Sequence, residues 1–323
     1  MFQNTSSSAQ STLRRAILST VAYFDLFQYP LTAFEIWRWL YRDGTESAER
    51  FSLNDVLLAL ETDEALVGRL TAQEGLYMLK GHEQHIPIRQ SRYRVAERKY
   101  RKAMRMVRIL RHLPFIRMIG VCNNLAFSNT VDTSDIDLFI ITVPGRVWTA
   151  RFVVAGLLKL LGLRPTAETA RDRFCVSFFL SSDALNIRHV ALDEDPYLAH
   201  WVPQVIPLMD AGGYAKRFFE ANTWIREHLP NAFPASVGPR RTVPGRSWLR
   251  NIAEFKFRLI PERYVRRFQE RKLPDRLRTA VNTDARMVVM TDDMIKLYTN
   301  DRREQYRNGF EKLRHALTVQ SDG

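Results

Sequence analysis

The chain has little of what several protein classes require. Its 323 residues include two cysteines, Cys122 and Cys175, in apolar surroundings, which excludes a disulfide scaffold and predicts two buried, reduced thiols. Fourteen glycines and fourteen prolines exclude collagen-like and low-complexity chains. There is no P-loop and no Gly-x-Ser-x-Gly nucleophile motif, and the seven histidines form no metal-ligand spacing, with His82 and His85 placed near a loop. We therefore expect a globular protein whose chemistry rests on other residue types.

Long hydrophobic runs are also missing. The most apolar stretch, residues 152–163, is shorter than the roughly 20 residues that a transmembrane helix needs, and Lys159 interrupts it. Residues 1–12 are polar and rich in serine, so they lack the basic and then apolar order of a secretory signal. The sequence therefore predicts a cytoplasmic protein with no membrane insertion.

Acidic residues are in the minority, since 48 lysines and arginines oppose 35 aspartates and glutamates, a net charge of +13. The excess lies in two basic zones. Residues 89–117 hold eleven basic residues and one acidic residue, and residues 240–286 hold fourteen basic and five acidic residues. Such zones fit polyanionic partners, namely nucleic acid, nucleotide phosphates or anionic lipid, or else they are solvated helix faces.

Residues 13–80 show the pattern of three short helices followed by a hairpin. Two capping boxes, at residues 32–35 and 52–55, mark the starts of the second and third helices. This order predicts a winged-helix-like domain, a fold that often reads DNA. Residues 43–66 contain seven acidic residues and one arginine, however, and would repel phosphates. A structural or protein-contact role is favoured, and a DNA-binding regulator stays an alternative.

The rest of the chain divides into three regions. Residues 89–113 predict one long connecting helix that is strongly basic. Residues 114–195 alternate as strand, turn, strand, helix and strand, and residues 196–317 read as mostly helical with a Pro/Gly/Arg-rich linker at 230–247. The three strands are predicted at residues 116–121, 137–143 and 174–180. The expected fold class is α/β (α+β), a small mixed-sheet core between a winged-helix-like domain and a helical C-terminal region.

Asp135 and Asp137 stand two residues apart at the mouth of the strand predicted at 137–143. Because alternate residues of a strand share a face, both carboxylates are expected to point to the same place while Ile136 points into the core. Two carboxylates held in this way suit a hard divalent cation, Mg²⁺ or Mn²⁺, which prefers oxygen ligands. An isolated Asp-x-Asp pair is nevertheless common as surface charge.

The aspartate pair belongs to a wider pattern in residues 120–142, GVCNNLAFSNTVDTSDIDLFIIT. The pattern consists of an Asn-Asn turn, a ten-residue spacer and an acid-apolar-acid-apolar quartet at residues 135–138. It resembles the signature of the nucleotidyltransferase superfamily typified by DNA polymerase beta. In that signature the turn is usually Gly-Ser. The resemblance implies a core whose turn holds nucleotide phosphates and whose carboxylates bind metal. It implies catalytic and metal-binding roles for Asp135 and Asp137, and nucleotide-binding roles for Asn123, Asn124, Ser128 and Ser134.

The layout as a whole resembles bacterial nucleotidyltransferase-domain proteins with a winged-helix-like N-terminus and a helical C-terminal half. The implied activity is transfer of a nucleoside monophosphate from a nucleoside triphosphate to an unidentified hydroxyl acceptor. Active members add a third carboxylate from a later strand, here 174–180, whose central polar residue is Ser177; Asp183 and Asp193 are candidates to replace it. The missing acid favours one alternative, a catalytically reduced fold that acts as a binding or scaffold module.

Overall fold

The protein is described here from a computed structural model that covers residues 3–43, 50–166, 168–235, 237–283, 287–298 and 301–319. The described residues form a mixed α/β protein with a central mixed sheet. The helices are α1 Gln3–Asp25, α2 Ala33–Arg38, α3 Leu53–Thr62, α4 Glu64–Arg69, α5 His85–Leu110, α6 Asn123–Ala126, α7 Val147–Leu160, α8 Pro196–Gln204, α9 Tyr214–Ala221, α10 Trp248–Phe257, α11 Glu262–Arg271, α12 Asp275–Thr283 and α13 Arg303–Val319. The strands are β1 Leu70–Gln73, β2 Leu76–Leu79, β3 Ile116–Val121, β4 Ile136–Thr142, β5 Phe174–Ser181, β6 Ile206–Asp210, β7 Val243–Pro244, β8 Val288–Met290 and β9 Met294–Leu297.

The N-terminal residues form four helices and then a hairpin, where the sequence predicts three helices; the additional helix is α4, which Asp63 caps. Thr32 and Ser52 begin α2 and α3, and both capping boxes are present, which confirms the two predicted helix starts. The short helix α4 follows α3, and β1 and β2 form a separate two-stranded hairpin. Helix α13 packs against α1, where the ring of Phe310 lies 5.8 Å from that of Tyr23. The N-terminal helices therefore share a core with the last helix of the chain.

Seven strands form the central sheet in the order β7-β6-β3-β4-β5-β9-β8. Strand β3 pairs antiparallel with β4 and with β6, whereas β4 and β5 run parallel. The three predicted strands are confirmed as β3, β4 and β5, each within one residue of its expected ends. Their apolar runs are almost entirely buried, as expected for strands that are covered on both faces.

The C-terminal part of the chain contains more strand than the sequence predicts. Residues 196–317 read as mostly helical, yet β6, β7, β8 and β9 lie in this range and all join the central sheet. The helical interpretation is wrong for β6, β8 and β9, and β7 lies in the predicted linker at 230–247. The four strands are two to five residues long, and β6 and β9 pair with β3 and β5, which are distant in sequence. Local periodicity carries little signal for such short strands.

Helices cover both faces of the sheet. The apolar seam of the long basic helix α5, which includes Ala96, Tyr100, Ala103 and Val107, packs on one face beside α7. Helices α8 and α9 cover the other face, with Trp201 and Phe218 among their buried side chains. Among the described residues, no helix is both long and apolar enough to cross a membrane.

Candidate functional site

Asp135 and Asp137 meet at the start of β4, beside an open cleft. Ile136 between them is fully buried, whereas both aspartates are partly exposed. Their carboxylate oxygens lie within 4.8 Å of each other. The alternation of the strand therefore brings the two carboxylates together, in the way that their spacing predicts.

Cys175 is the third member of this cluster. Its Sγ lies within 4.8 Å of ligand oxygens of both aspartates, because β5 runs parallel to β4 and places Cys175 opposite Asp137. Ser177 stands two residues further along the strand, with its Oγ 2.8 Å from the Cys175 sulfur, and it also lines the cleft. Among the described residues, neither Asp183 nor Asp193 lines the cleft. A thiol therefore lies beside the aspartates, on the strand from which the resemblance implies a third carboxylate.

The cleft has a volume of about 520 Å³ and is formed by parts of the chain that are far apart in sequence. Residues from the turn after β3, from β4 and β5, from α8, from the end of β9 and from the start of α13 contribute to it. Its cations are Lys296, Arg302 and Arg303, all outside the two basic zones. Its aromatic residues are Phe178, Tyr197, Trp201, Tyr298 and Tyr306. The volume is within the range of pockets that bind small molecules.

Asn123 lies in the turn that follows β3. Its backbone is left-handed, with φ at 55°, a conformation that asparagine adopts more readily than most residues. Its side-chain oxygen accepts hydrogen bonds from Trp201 Nε1 at 2.9 Å and from the Tyr197 hydroxyl at 3.3 Å. A hydrogen bond between the Asn123 side chain and Asp137 lowers the pKa of that carboxyl group. Asn123 thus positions the aspartate, and its neighbour Asn124 lines the cleft.

Ser128 and Ser134 lie away from the cleft lining, in the loop between α6 and β4. The Ser134 hydroxyl lies 2.6 Å from that of Thr130 and donates to the Val131 carbonyl at 2.9 Å. The Ser128 backbone N–H donates to a carbonyl of α6 at 3.0 Å. The structure therefore brings four of the six predicted site residues to the cleft, Asn123, Asn124, Asp135 and Asp137, and places these two serines in a supporting loop.

Lys99 is a buried cation behind the aspartates that the sequence does not single out. Its side chain is completely buried, and its Nζ donates to the carbonyls of Asp132 and Ser134, at 3.1 and 2.6 Å, and to Asp172 Oδ1 at 3.0 Å. These bonds join α5 to the loop that leads into Asp135. The sequence signal that could indicate it is its position beside Tyr100, next to the apolar seam of α5.

Opposing effects act on the acidity of the aspartate pair. Burial raises the pKa of both carboxyl groups, and the charge of Asp135 raises that of Asp137 further. Lys99 and Arg164 act in the other direction on Asp135. Arg164 Nη1 is buried and has no hydrogen-bond partner among the described residues. The net effect on Asp137 is upward, so the pair retains a proton at pH values where ordinary aspartates have lost theirs.

Two carboxylates and one thiol make a mixed set of metal ligands. Carboxylate oxygens suit Mg²⁺ and Mn²⁺, whereas a thiolate prefers softer ions such as Zn²⁺. Burial and the charges of Asp137 and Asp135 raise the pKa of the Cys175 thiol. The thiol is therefore protonated at neutral pH, and the two aspartates are the side chains of this cluster that fit a hard cation.

A second group of potential ligands lies outside the cleft. Ligand atoms of Asp25, His82 and His85 are within 4.8 Å of one another. His82 Nδ1 is 2.7 Å from Asp25 Oδ1, and His85 Nδ1 is 3.4 Å from the same oxygen. The fold adds an aspartate that is 57 residues earlier in the sequence than His82, so the histidine spacing alone could not indicate this group. Hydrogen bonding between imidazole and carboxylate accounts for the arrangement without a metal.

No protein-family model, curated protein or solved structure matches the chain. The resemblance of residues 120–142 to nucleotidyltransferases therefore stays a prediction. The function of the cleft has to be inferred from the side chains that form it.

Proposed function

We propose that this chain is a metal-dependent nucleotidyltransferase of the superfamily typified by DNA polymerase beta. It would transfer a nucleoside monophosphate from a nucleoside triphosphate to a hydroxyl acceptor that its sequence does not identify. The observation that carries the proposal is the pairing of Asp135 with Asp137 at the start of β4, next to a cleft of about 520 Å³ that also contains cations.

The aspartates and the cations of the cleft have complementary parts in this proposal. A Mg²⁺ or Mn²⁺ ion on Asp135 and Asp137 would supply Lewis-acid polarisation of the reacting phosphate. Arg303 is fixed at 2.8 Å from both Asp195 and Asp301, so its position is set before any substrate arrives. Burial lowers the pKa of Lys296 to about 8, which leaves this amine mostly charged at neutral pH. Both cations are paired with Asp301, so the metal ion and Arg302 would supply most of the attraction for an anionic substrate.

Two tyrosines of the cleft would contact the nucleobase in this proposal. The rings of Tyr197 and Tyr306 are stacked with their centroids 5.3 Å apart, and both line the cleft. The Tyr197 hydroxyl donates to Asn123, so this ring is fixed relative to the turn. Exposed faces of such rings stack on nucleobases of any kind, which suits nucleotide binding without choosing the base.

The wider architecture is part of the same proposal. In this proposal the chain divides into four parts. They are a winged-helix-like domain at residues 13–80, a connecting helix at 89–113, a nucleotidyltransferase core at 114–195 and a C-terminal region at 196–317. The sheet crosses the boundary at residue 195, since β6 and β9 pair with β3 and β5. One candidate class of acceptor in this proposal is nucleic acid that contacts the two basic zones. The proposal also places the protein in the cytoplasm.

Transfer of radioactive label from α-labelled nucleoside triphosphates tests this function. The full chain is incubated with Mg²⁺, a cell extract that supplies acceptors, and each common triphosphate in turn. We expect a labelled product, and we expect Asp135→Asn to reduce its formation by at least about 100-fold, since a group that holds transition-state charge is lost. Asp132→Asn is the matched control, because this aspartate is exposed in the same loop and does not line the cleft.

The catalytically reduced alternative has one observation in its favour, the thiol of Cys175 in the place of a third carboxylate. Thermal unfolding separates the two functions. A melting temperature raised by Mg²⁺ with triphosphate, but no label transfer, would support a binding module. If the combination neither raises the melting temperature nor gives a labelled product, both proposals are overturned.

A further inference from the structure

Helix α10 turns its apolar side toward solvent. Trp248, Phe255 and Leu259 are 69%, 78% and 87% exposed, and Ile252 is about half exposed at 47%. Their spacings of four, three and four residues align them along one side of the helix, which is extended by Leu259 just beyond its end. We call these four side chains the α10 face.

The polar side of α10 faces the protein instead. Arg250 is buried, and its guanidinium donates to the Ile116 carbonyl at 3.3 Å. Glu254 accepts hydrogen bonds from the Phe115 backbone N–H at 2.9 Å and from Arg117 Nη1 at 2.7 Å. A surface helix surrounded by water has the opposite arrangement, with its apolar stripe on the core. The outward side of α10 is therefore built for an apolar neighbour.

The exposed charges around the α10 face have one sign. Lys256 and Arg258 are exposed. The acidic residues of this stretch, Glu254 and Glu262, are both engaged within the protein, and Glu262 accepts a hydrogen bond from the Thr149 backbone N–H at 2.9 Å. A neighbour that contacts this face therefore meets apolar groups and positive charge, without an opposing carboxylate from α10.

Helix α11 continues the same composition. Tyr264 and Phe268 are about half exposed, one turn apart. Arg267 and Arg271 are exposed beside them. Two successive helices thus expose aromatic side chains together with arginines.

We propose that the α10 face binds the surface of a membrane that contains anionic lipid. Its aromatic and aliphatic side chains would enter the headgroup region, and Lys256 and Arg258 would contact lipid phosphates, as interfacial amphipathic helices do. Nucleic acid fits this surface less well, because it offers no apolar phase to Ile252 and Leu259. The membrane contact is independent of the proposed catalytic activity, and it gives the second basic zone a partner.

Co-sedimentation of the full chain with sucrose-loaded vesicles tests the inference. We expect binding to phosphatidylcholine vesicles that contain phosphatidylglycerol, and little binding to phosphatidylcholine alone. The double variant Phe255→Glu with Leu259→Glu should weaken binding by at least about tenfold, because it removes two apolar groups that the membrane would bury. Replacing Lys256 and Arg258 by glutamine should weaken it by about fivefold per charge. Leu58→Glu, at a leucine of α3 that is 57% exposed, is the matched control and should change nothing.

Three results would overturn the inference. The first is equal binding to both kinds of vesicle, which would remove the role of the anionic headgroup. The second is absence of vesicle binding together with a dimer that Phe255→Glu dissociates, which would assign the face to a second copy of the chain. The third is retention on DNA that Phe255→Glu abolishes while vesicle binding is absent. Unchanged melting temperatures of the variants exclude unfolding as the cause in each case.

Discussion

Replacement of Asp137 by asparagine is expected to stabilise the fold while it abolishes divalent-cation binding. Burial and the charge of Asp135 raise the pKa of Asp137 in the folded state above its value in the unfolded chain. The stability associated with its protonated form is therefore lost as the pH rises through this raised pKa. Asparagine carries no charge at any pH, so Asp137→Asn should gain about 1–2 kcal/mol at a pH of about 8 and almost nothing below the unfolded-state pKa of about 4.

The two effects of Asp137→Asn are measured together by thermal unfolding across pH, with and without Mg²⁺. We expect the variant to melt a few degrees above wild type at alkaline pH and to show no response to the ion. Asp132→Asn should show neither effect, because Asp132 is exposed and paired with Arg98 and Arg171. An Asp137→Asn variant that is less stable at alkaline pH, or that still responds to Mg²⁺, would contradict the description of this pair.

Replacement of Lys99 by methionine is expected to destabilise the protein by about 2–3 kcal/mol. Methionine keeps most of the volume but leaves the carbonyls of Asp132 and Ser134 and the carboxylate of Asp172 without their donor. The charge of Lys99 also lowers the pKa of Asp135, so its loss should raise that pKa and shift cation binding to higher pH. Denaturant unfolding and Mg²⁺ titrations at several pH values measure the two effects.

Lys102→Met is the matched control for Lys99→Met. Lys102 also approaches Asp172, at 3.8 Å, but its side chain is partly exposed, and its loss should cost less than about 0.5 kcal/mol. Equal losses of stability in both variants would mean that burial of Lys99 and its bonds to the loop contribute nothing. A pH dependence of Mg²⁺ binding that stays unchanged in Lys99→Met would remove its proposed influence on Asp135.

The elements that the sequence predicts well are those with local signals. The capping boxes at Thr32 and Ser52 and the continuous apolar runs of β4 and β5 determine structure within a few residues of themselves. Strands β6 and β9 depend on pairing with β3 and β5, and β6 contains Pro207, a residue that weakens any strand prediction. Their identity as strands is decided by partners elsewhere in the chain, so it could not be read from their own composition.

The same distinction holds for the cleft. The convergence of Asp135 and Asp137 follows from the alternation of a single strand, and it could be predicted from their spacing. Cys175 joins them because of the register between β4 and β5, which shifts just after Asp137. Lys296 and the arginines near it reach the cleft through β9 and the start of α13. Contacts of this kind depend on the assembled sheet, which the sequence pattern alone did not reveal.

Mn²⁺ titration followed by the electron paramagnetic resonance signal of the free ion tests the aspartate pair most directly. With wild-type chain, we predict depletion of the free-ion signal that becomes stronger when a nucleoside triphosphate is added. The double variant Asp135→Asn with Asp137→Asn should leave the free-ion signal unchanged under both conditions, whereas Asp25→Asn should behave as wild type. Depletion that survives in the double variant, or that disappears only in Asp25→Asn, would contradict a metal–nucleotide site at the start of β4.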